Sequence, residues 1–148
     1  MIKKNELNQS IWPISSVESE PKTIIVNWSV FEATFKNGSN KSHHLLGDVP
    51  DQYGRVTSAI QHFNSSKRAI TTRSGRIYTL IGESGYSDDA DYVWHNWKKT
   101  NGVISETNVR KIIDDEINRY IKEAYIQKEL AINAKKPKKP PLTLIVNS

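Results

Sequence analysis

Four histidines, His43, His44, His62 and His95, are the first candidates for chemistry, because imidazole is the commonest metal ligand. His43 and His44 are adjacent in a stretch of strand character, so their side chains point to opposite faces and only one can serve any given site. No HxxxH or HExxH spacing occurs, and the chain has no cysteine to supply a thiolate. No metal site is expected. Serines are abundant, yet no GxSxG elbow presents one as a nucleophile. Gly82-Glu83-Ser84-Gly85 is a glycine-rich turn before a helix start, a place that can bind phosphate. Asp88, Asp89 and Asp91 occupy that positive helix end and would repel an anion, so the turn reads as a turn and a cap. No pair of carboxylates is placed for acid–base work. The sequence therefore predicts no catalytic residue, no cofactor and a non-enzymatic protein, with an enzyme of unknown class as the last alternative.

Basic side chains carry the functional signal. Lys67 and Arg68 fall at one end of a predicted strand, and Arg73 and Arg76 at the other, flanking a Ser74-Gly75 turn. Arg55 and Lys41 belong to the same sheet, with Tyr78 and Tyr53 as stacking partners. Arginines beside aromatic rings make a groove for nucleic acid. The competing reading is that turn-flanking arginines are solvated and guard the sheet against aggregation. The net charge is +5, and its distribution matters more than its size. Residues 24–86 carry a net +3, and residues 135–148 a net +4 from Lys135, Lys136, Lys138 and Lys139. The helical stretches between them are close to neutral. Sheet and tail thus point to one acidic partner, nucleic acid or a nucleoprotein. A second reading takes Trp12, Trp28, Tyr92 and His95 as aromatic anchors for a host protein.

The elements that must position these groups follow from periodicity. From Thr23, apolar residues alternate through Trp28, Val30 and Phe35, and Asn37-Gly38 signals a hairpin that returns over Ser42–Leu46. A strand from Arg55 to Phe63 follows, then Ala69–Arg73, then Arg76–Ile81. Tyr78 and Leu80 share one face of that last strand, and Ile77, Thr79 and Ile81 the other, so the hairpin should be covered on both sides. Ser87 or Asp88 caps a helix with Lys98 and Lys99 in its last turn and Gly102 as its stop. Ala90, Val93, Trp94 and Trp97 form one helical stripe. A second helix, from about Glu106 to Ala134, carries Val109, Ile113, Ile117, Tyr120, Ile121 and Ala124, and Asn101–Ile104 would be a short joint between the two. The expected fold is α+β: about five antiparallel strands, as a sheet or small curled barrel, followed by a C-terminal αα-hairpin.

Residues 1–22 read as a flexible arm, 23–104 as a β-module with the tryptophan-rich helix, 105–134 as a long amphipathic helix and 135–148 as a basic, proline-rich tail. The long helix has more apolar surface than five strands cover, which predicts a homodimer through residues 120–134. The N-terminus has no apolar core of a secretion signal and no run is long enough to span a bilayer, so a cytoplasmic protein without membrane contact is expected.

Two strings, TRSGRIYTLIGESG (72–85) and DADYVWHNW (89–97), with GRVTSAI (54–60) upstream, resemble a pattern in small uncharacterised proteins of bacterial plasmids, prophages and other mobile elements. The resemblance covers about the middle third of the chain. It implies an accessory protein without catalytic residues, and it makes an inhibitor of host defence, such as an anti-CRISPR protein, the alternative to a nucleic-acid binder.

Overall fold

The computed structural model describes residues 14–136 and contains, among them, seven strands and two helices. In order these are β1 (Lys22–Phe35), β2 (Ser42–Val49), β3 (Tyr53–Val56), β4 (Ile60–Asn64), β5 (Ala69–Thr72), β6 (Ile77–Leu80), α1 (Asp88–Asn101), β7 (Val103–Asn108) and α2 (Arg110–Lys135). The class is the α+β one that periodicity predicts. The sheet is open, larger than five strands, and antiparallel apart from one pairing.

The long strand β1 is shared by all of it. One of its edges pairs with β2. On the other edge, its first half runs parallel to β6 (Lys22 opposite Ile77, Ile25 opposite Leu80), and its second half runs antiparallel to β7 (Phe31 opposite Asn108). A bulge between Val26 and Ser29 separates the halves, where Asn27 takes a φ of 50°. An Asx residue tolerates that left-handed geometry better than most. The Asn27 amide is held by Asp48 Oδ2 at 3.0 Å, and the other oxygen of Asp48 accepts from the Ser87 hydroxyl that caps α1. One carboxylate thus ties the bend of the sheet to the start of the helix.

Both faces of the sheet are covered. On one, Ile25, Trp28, Val30, Leu45, Ile70, Tyr78 and Leu80 pack with Ile113 and Ile117 from the first turns of α2. On the other, Ala33, Leu46 and Val56 pack beneath the Ala90, Val93, Trp94 and Trp97 stripe of α1. That helix starts and stops where its end signals place it. Ser87 Oγ accepts the Ala90 N–H at 3.0 Å, and Gly102 closes the C-terminus in the left-handed region. It lies so close to β3 that a Cβ on Gly54 would stand 2.3 Å from the Ala90 nitrogen.

Three expectations change. The strand expected from Arg55 to Phe63 is two strands, because Thr57 N–H bonds the Leu45 carbonyl while the Ala59 carbonyl accepts from Arg73 N–H. Leu45 lies in β2 and Arg73 just after β5, so the chain turns a corner between them. The Asn101–Ile104 joint is not a bare loop: from Val103 the chain forms β7, so a strand rather than a short turn separates the two helices. The second helix accordingly begins at Arg110, with the Asn108 carboxamide accepting the Arg110 N–H at 3.0 Å. Finally, part of the expected N-terminal arm is fixed. Ser16 and Ser19 form a tight turn, and the Pro21 carbonyl accepts the Ile77 N–H at 2.9 Å.

The chain divides into two compact units, residues 1–117 and 118–148. The described part of the second unit is helical up to Lys135, and its Tyr120, Ile121, Tyr125, Ile126, Leu130 and Ile132 are all exposed. No described helix is long and apolar enough to cross a membrane.

Candidate anion-binding site

The basic hairpin does not form the surface its sequence suggests. Arg55 and Arg76 are inside, 2% and 3% exposed, and Tyr78 is 4% exposed. Period two explains Arg76: it shares its parity with Tyr78 and Leu80, both in the core, so the strand turns it inward. Arg68 is held with a φ of 52°, and its guanidinium donates to the Leu80 and Gly82 carbonyls, a use that stitches the hairpin together. Lys67 and Arg73 remain exposed. Lys135 and Lys136 are exposed in the second unit, while Lys138, Lys139 and Trp12 lie outside the described residues. Trp28 is not a surface anchor. It is fully buried, with its indole N–H donating to the Gly82 carbonyl at 3.1 Å. Tyr92 and His95 do face solvent from α1.

The two buried arginines converge beneath the turn at Ser16–Ser19. Arg76 reaches the Ser15 carbonyl with Nη2, and Arg55 donates through Nη2 to the Gln52 side-chain carbonyl. The Gln52 amide in turn donates to both oxygens of Glu20, at 3.1 Å each. That contact holds the Glu20 carboxyl below its ordinary pKa against the opposing effect of burial. Ser15 and the charges of Arg55 and Arg76 reinforce it. Two cations therefore face one carboxylate, and that carboxylate is already engaged.

Each guanidinium also buries an Nη1 that has no hydrogen-bond partner among the described residues. A buried unsatisfied donor on a charged group costs more than a neutral one, and arginine stays protonated whatever its surroundings. Beside Arg76 opens a pocket of about 260 Å³, lined by that residue with Tyr78, Val56, Ser58 and Ser74 and by Ile14–Val17 from the N-terminal segment. The Arg55 guanidinium stands 5.9 Å from the centre of the Tyr78 ring, behind the pocket wall. Arginine's planar fork suits carboxylate and phosphate alike, so this arrangement can hold a small anionic group. The turn that places Ser74 in the wall also carries the exposed Arg73 beside it.

The sequence marks Arg55, Arg76 and Tyr78 as surface residues, and it gives no sign of Ser15, Glu20 and Gln52. The parity of Arg76 was the available signal for its burial. Nothing local marks the N-terminal segment as a wall of the pocket.

His43 and His44 serve the fold, while His62 and His95 are exposed. His43 Nε2 pairs with Glu32 at 3.0 Å. The His44 ring donates Nδ1–H to the Thr57 carbonyl at 2.8 Å, which leaves Nε2 to accept the Ser42 hydroxyl at 2.7 Å. A serine hydroxyl on an oriented imidazole has the form of a nucleophile and its base. Here the imidazole is 3% exposed and packed 4.4 Å from the Trp97 ring centre, so it is a core histidine satisfied on both nitrogens. Burial lowers its pKa, opposed by the Thr57 bond. No group of three His, Cys, Asp or Glu that could hold a metal ion occurs among the described residues.

No protein-family model matches the chain, and neither a curated protein nor a solved structure does.

Proposed function

We propose that the chain is a binding protein for a phosphate-bearing partner, nucleic acid or a nucleoprotein, and that the arginine pocket is its point of recognition. One observation carries the reading: two guanidinium groups are buried with an idle N–H each, one of them, Arg76, lines a pocket, and the Glu20 carboxylate near them is already engaged. A fold does not bury charge without a partner unless something compensates for it, and an anionic ligand does so. The exposed Arg73 at the rim and Lys67 at the far turn extend the attraction along the hairpin. A basic, lysine-rich C-terminus strengthens it in the same sense.

Titration of labelled single- and double-stranded DNA and RNA at several salt concentrations tests this. Phosphate contacts release counterions, so affinity should fall steeply with salt. Lys67→Ala with Arg73→Ala, both on exposed side chains, should weaken binding to all sequences alike and flatten the salt slope by about two units, roughly one per phosphate contact. Absence of binding at low salt ends this reading. The protein-binding alternative then rests on Tyr92 and His95, the two proposed anchors that face solvent among the described residues.

For the second unit we propose self-association through residues 120–134, on the strength of its exposed isoleucines, tyrosines and Leu130. Light scattering over a concentration series decides it, and a monomeric mass at high concentration refutes it.

A further inference from the structure

We infer that the arginine pocket takes a terminal phosphate, the phosphomonoester at the end of a nucleic-acid strand, in preference to the phosphodiesters along it. This rests on the reading above and narrows it. Arg76 lines the pocket and is only 3% exposed, so an anion that meets its guanidinium must enter the pocket and cannot lie across the mouth. An internal phosphodiester continues as chain on both sides and would bring two nucleosides with it. The pocket's 260 Å³ is below the roughly 300–1,000 Å³ of sites that enclose whole small molecules. A phosphomonoester has one substituent and three strong acceptor oxygens, so it enters head first and leaves its strand outside.

The donors fit that head group. Arg76 Nη1 is unpaired. Ser58 Oγ accepts the Ser74 N–H at 3.1 Å and keeps its own hydroxyl hydrogen to give. Arg55 adds its charge from behind Tyr78. Glu20, whose carboxylate feels the charge of both arginines, accepts the Gln52 amide on both oxygens, and no ion pair joins it to either arginine among the described residues. Outside, Arg73 is exposed next in sequence to Ser74 of the pocket wall.

A free nucleoside monophosphate offers the same chemistry, so the test separates the two sources. Short single strands of DNA and RNA carrying a 5′-phosphate, a 3′-phosphate or hydroxyls at both ends are labelled internally and titrated with the full chain by fluorescence anisotropy. Inorganic phosphate and a nucleoside 5′-monophosphate serve as competitors. One phosphorylated form should bind at least tenfold more tightly than the hydroxyl form, equivalent to about 1.4 kcal/mol. Arg76→Gln should abolish that difference. Ser58→Ala should reduce it by a smaller factor and serves if the Arg76 variant does not fold. Displacement by the monophosphate at the affinity of the phosphorylated strand supports the monoester and makes the free nucleotide the ligand. Equal binding of all three strands overturns the inference and leaves the nucleic-acid reading standing. No binding of any strand or competitor at low salt overturns both.

Discussion

Replacing Arg76 by methionine distinguishes a side chain kept for the fold from one kept for a ligand. Methionine has a comparable reach, no charge and no donors. In the folded chain Arg76 makes one side-chain hydrogen bond, to the Ser15 carbonyl, and buries Nη1 without a partner. Losing a hydrogen bond from a charged donor costs about 1.5–3 kcal/mol. The cost is at the low end here, because Ser15 is exposed and its carbonyl regains water. Removing an unmet buried donor returns about 1–3 kcal/mol. Exchanging a buried charge for a packed apolar side chain is itself often neutral or stabilising. The terms nearly cancel, so the expected change in unfolding free energy is within about 1 kcal/mol, or at most about 4 °C in the midpoint of a chain this long. Urea denaturation followed by tryptophan emission reads it well, since Trp28, Trp94 and Trp97 are all buried. Loss of about 3 kcal/mol or more refutes the reasoning, because Arg76 would then be a strut for the N-terminal segment.

Three further outcomes are expected. Trp94→Ala removes a buried indole stacked 5.3 Å from Trp97 and leaves Glu106 without its indole donor, so it should cost about 4 kcal/mol and lower the thermal midpoint by roughly 8–16 °C. Gly54→Ala drives a Cβ into the backbone of Asp89 and Ala90, which cannot yield without moving α1; equilibrium denaturation should show a loss near the upper end of the roughly 1–3 kcal/mol for overpacking. The depressed pKa of His44 means that the unfolded chain takes up its proton first as pH falls. Stability from this group is therefore full above the unfolded value of about 6.5 and declines below it, and melts between pH 7 and about 5.5 should show a slope that His44→Gln flattens. Glu20 and Glu32, held below the ordinary carboxylate value, act at lower pH and leave that window clear.

Much of the fold was legible because its signals are local. The Ser87 cap, the Gly102 stop and the apolar spacing of α1 depend on neighbours within a turn or two, and all three stand as read. Strand β7 was not legible. Its Val103–Asn108 run has polar residues at most positions and all but Val103 are exposed, so it resembles a joint until β1 is there to pair with it. The parallel β1–β6 pairing is hidden for the same reason: nothing in either strand names its partner. For the site, the residue types drew attention to Arg55 and Arg76, since paired arginines near an aromatic ring point to anions. Their burial depends on segment 14–20 lying over them, and the charge of an arginine argues for solvent unless parity is weighed against it.

The position of β1 between three pairing segments also sets how the chain must fold. Its partners arrive late: Lys22 meets Ile77, and Phe31 meets Asn108. Only β2 is close enough in sequence to pair early. A nascent chain therefore holds the Lys22–Ile25 half of β1 with one edge open until β6 is made, and the Phe31–Phe35 half until β7 is made. Nonlocal pairings of this kind place folding at the slow, millisecond-to-second end of the range for small domains, and an open apolar edge invites association with other chains meanwhile. Truncation before β7 should leave the rest of the sheet aggregating rather than folding as a smaller domain, because the unpaired half of β1 would then face solvent along its whole length.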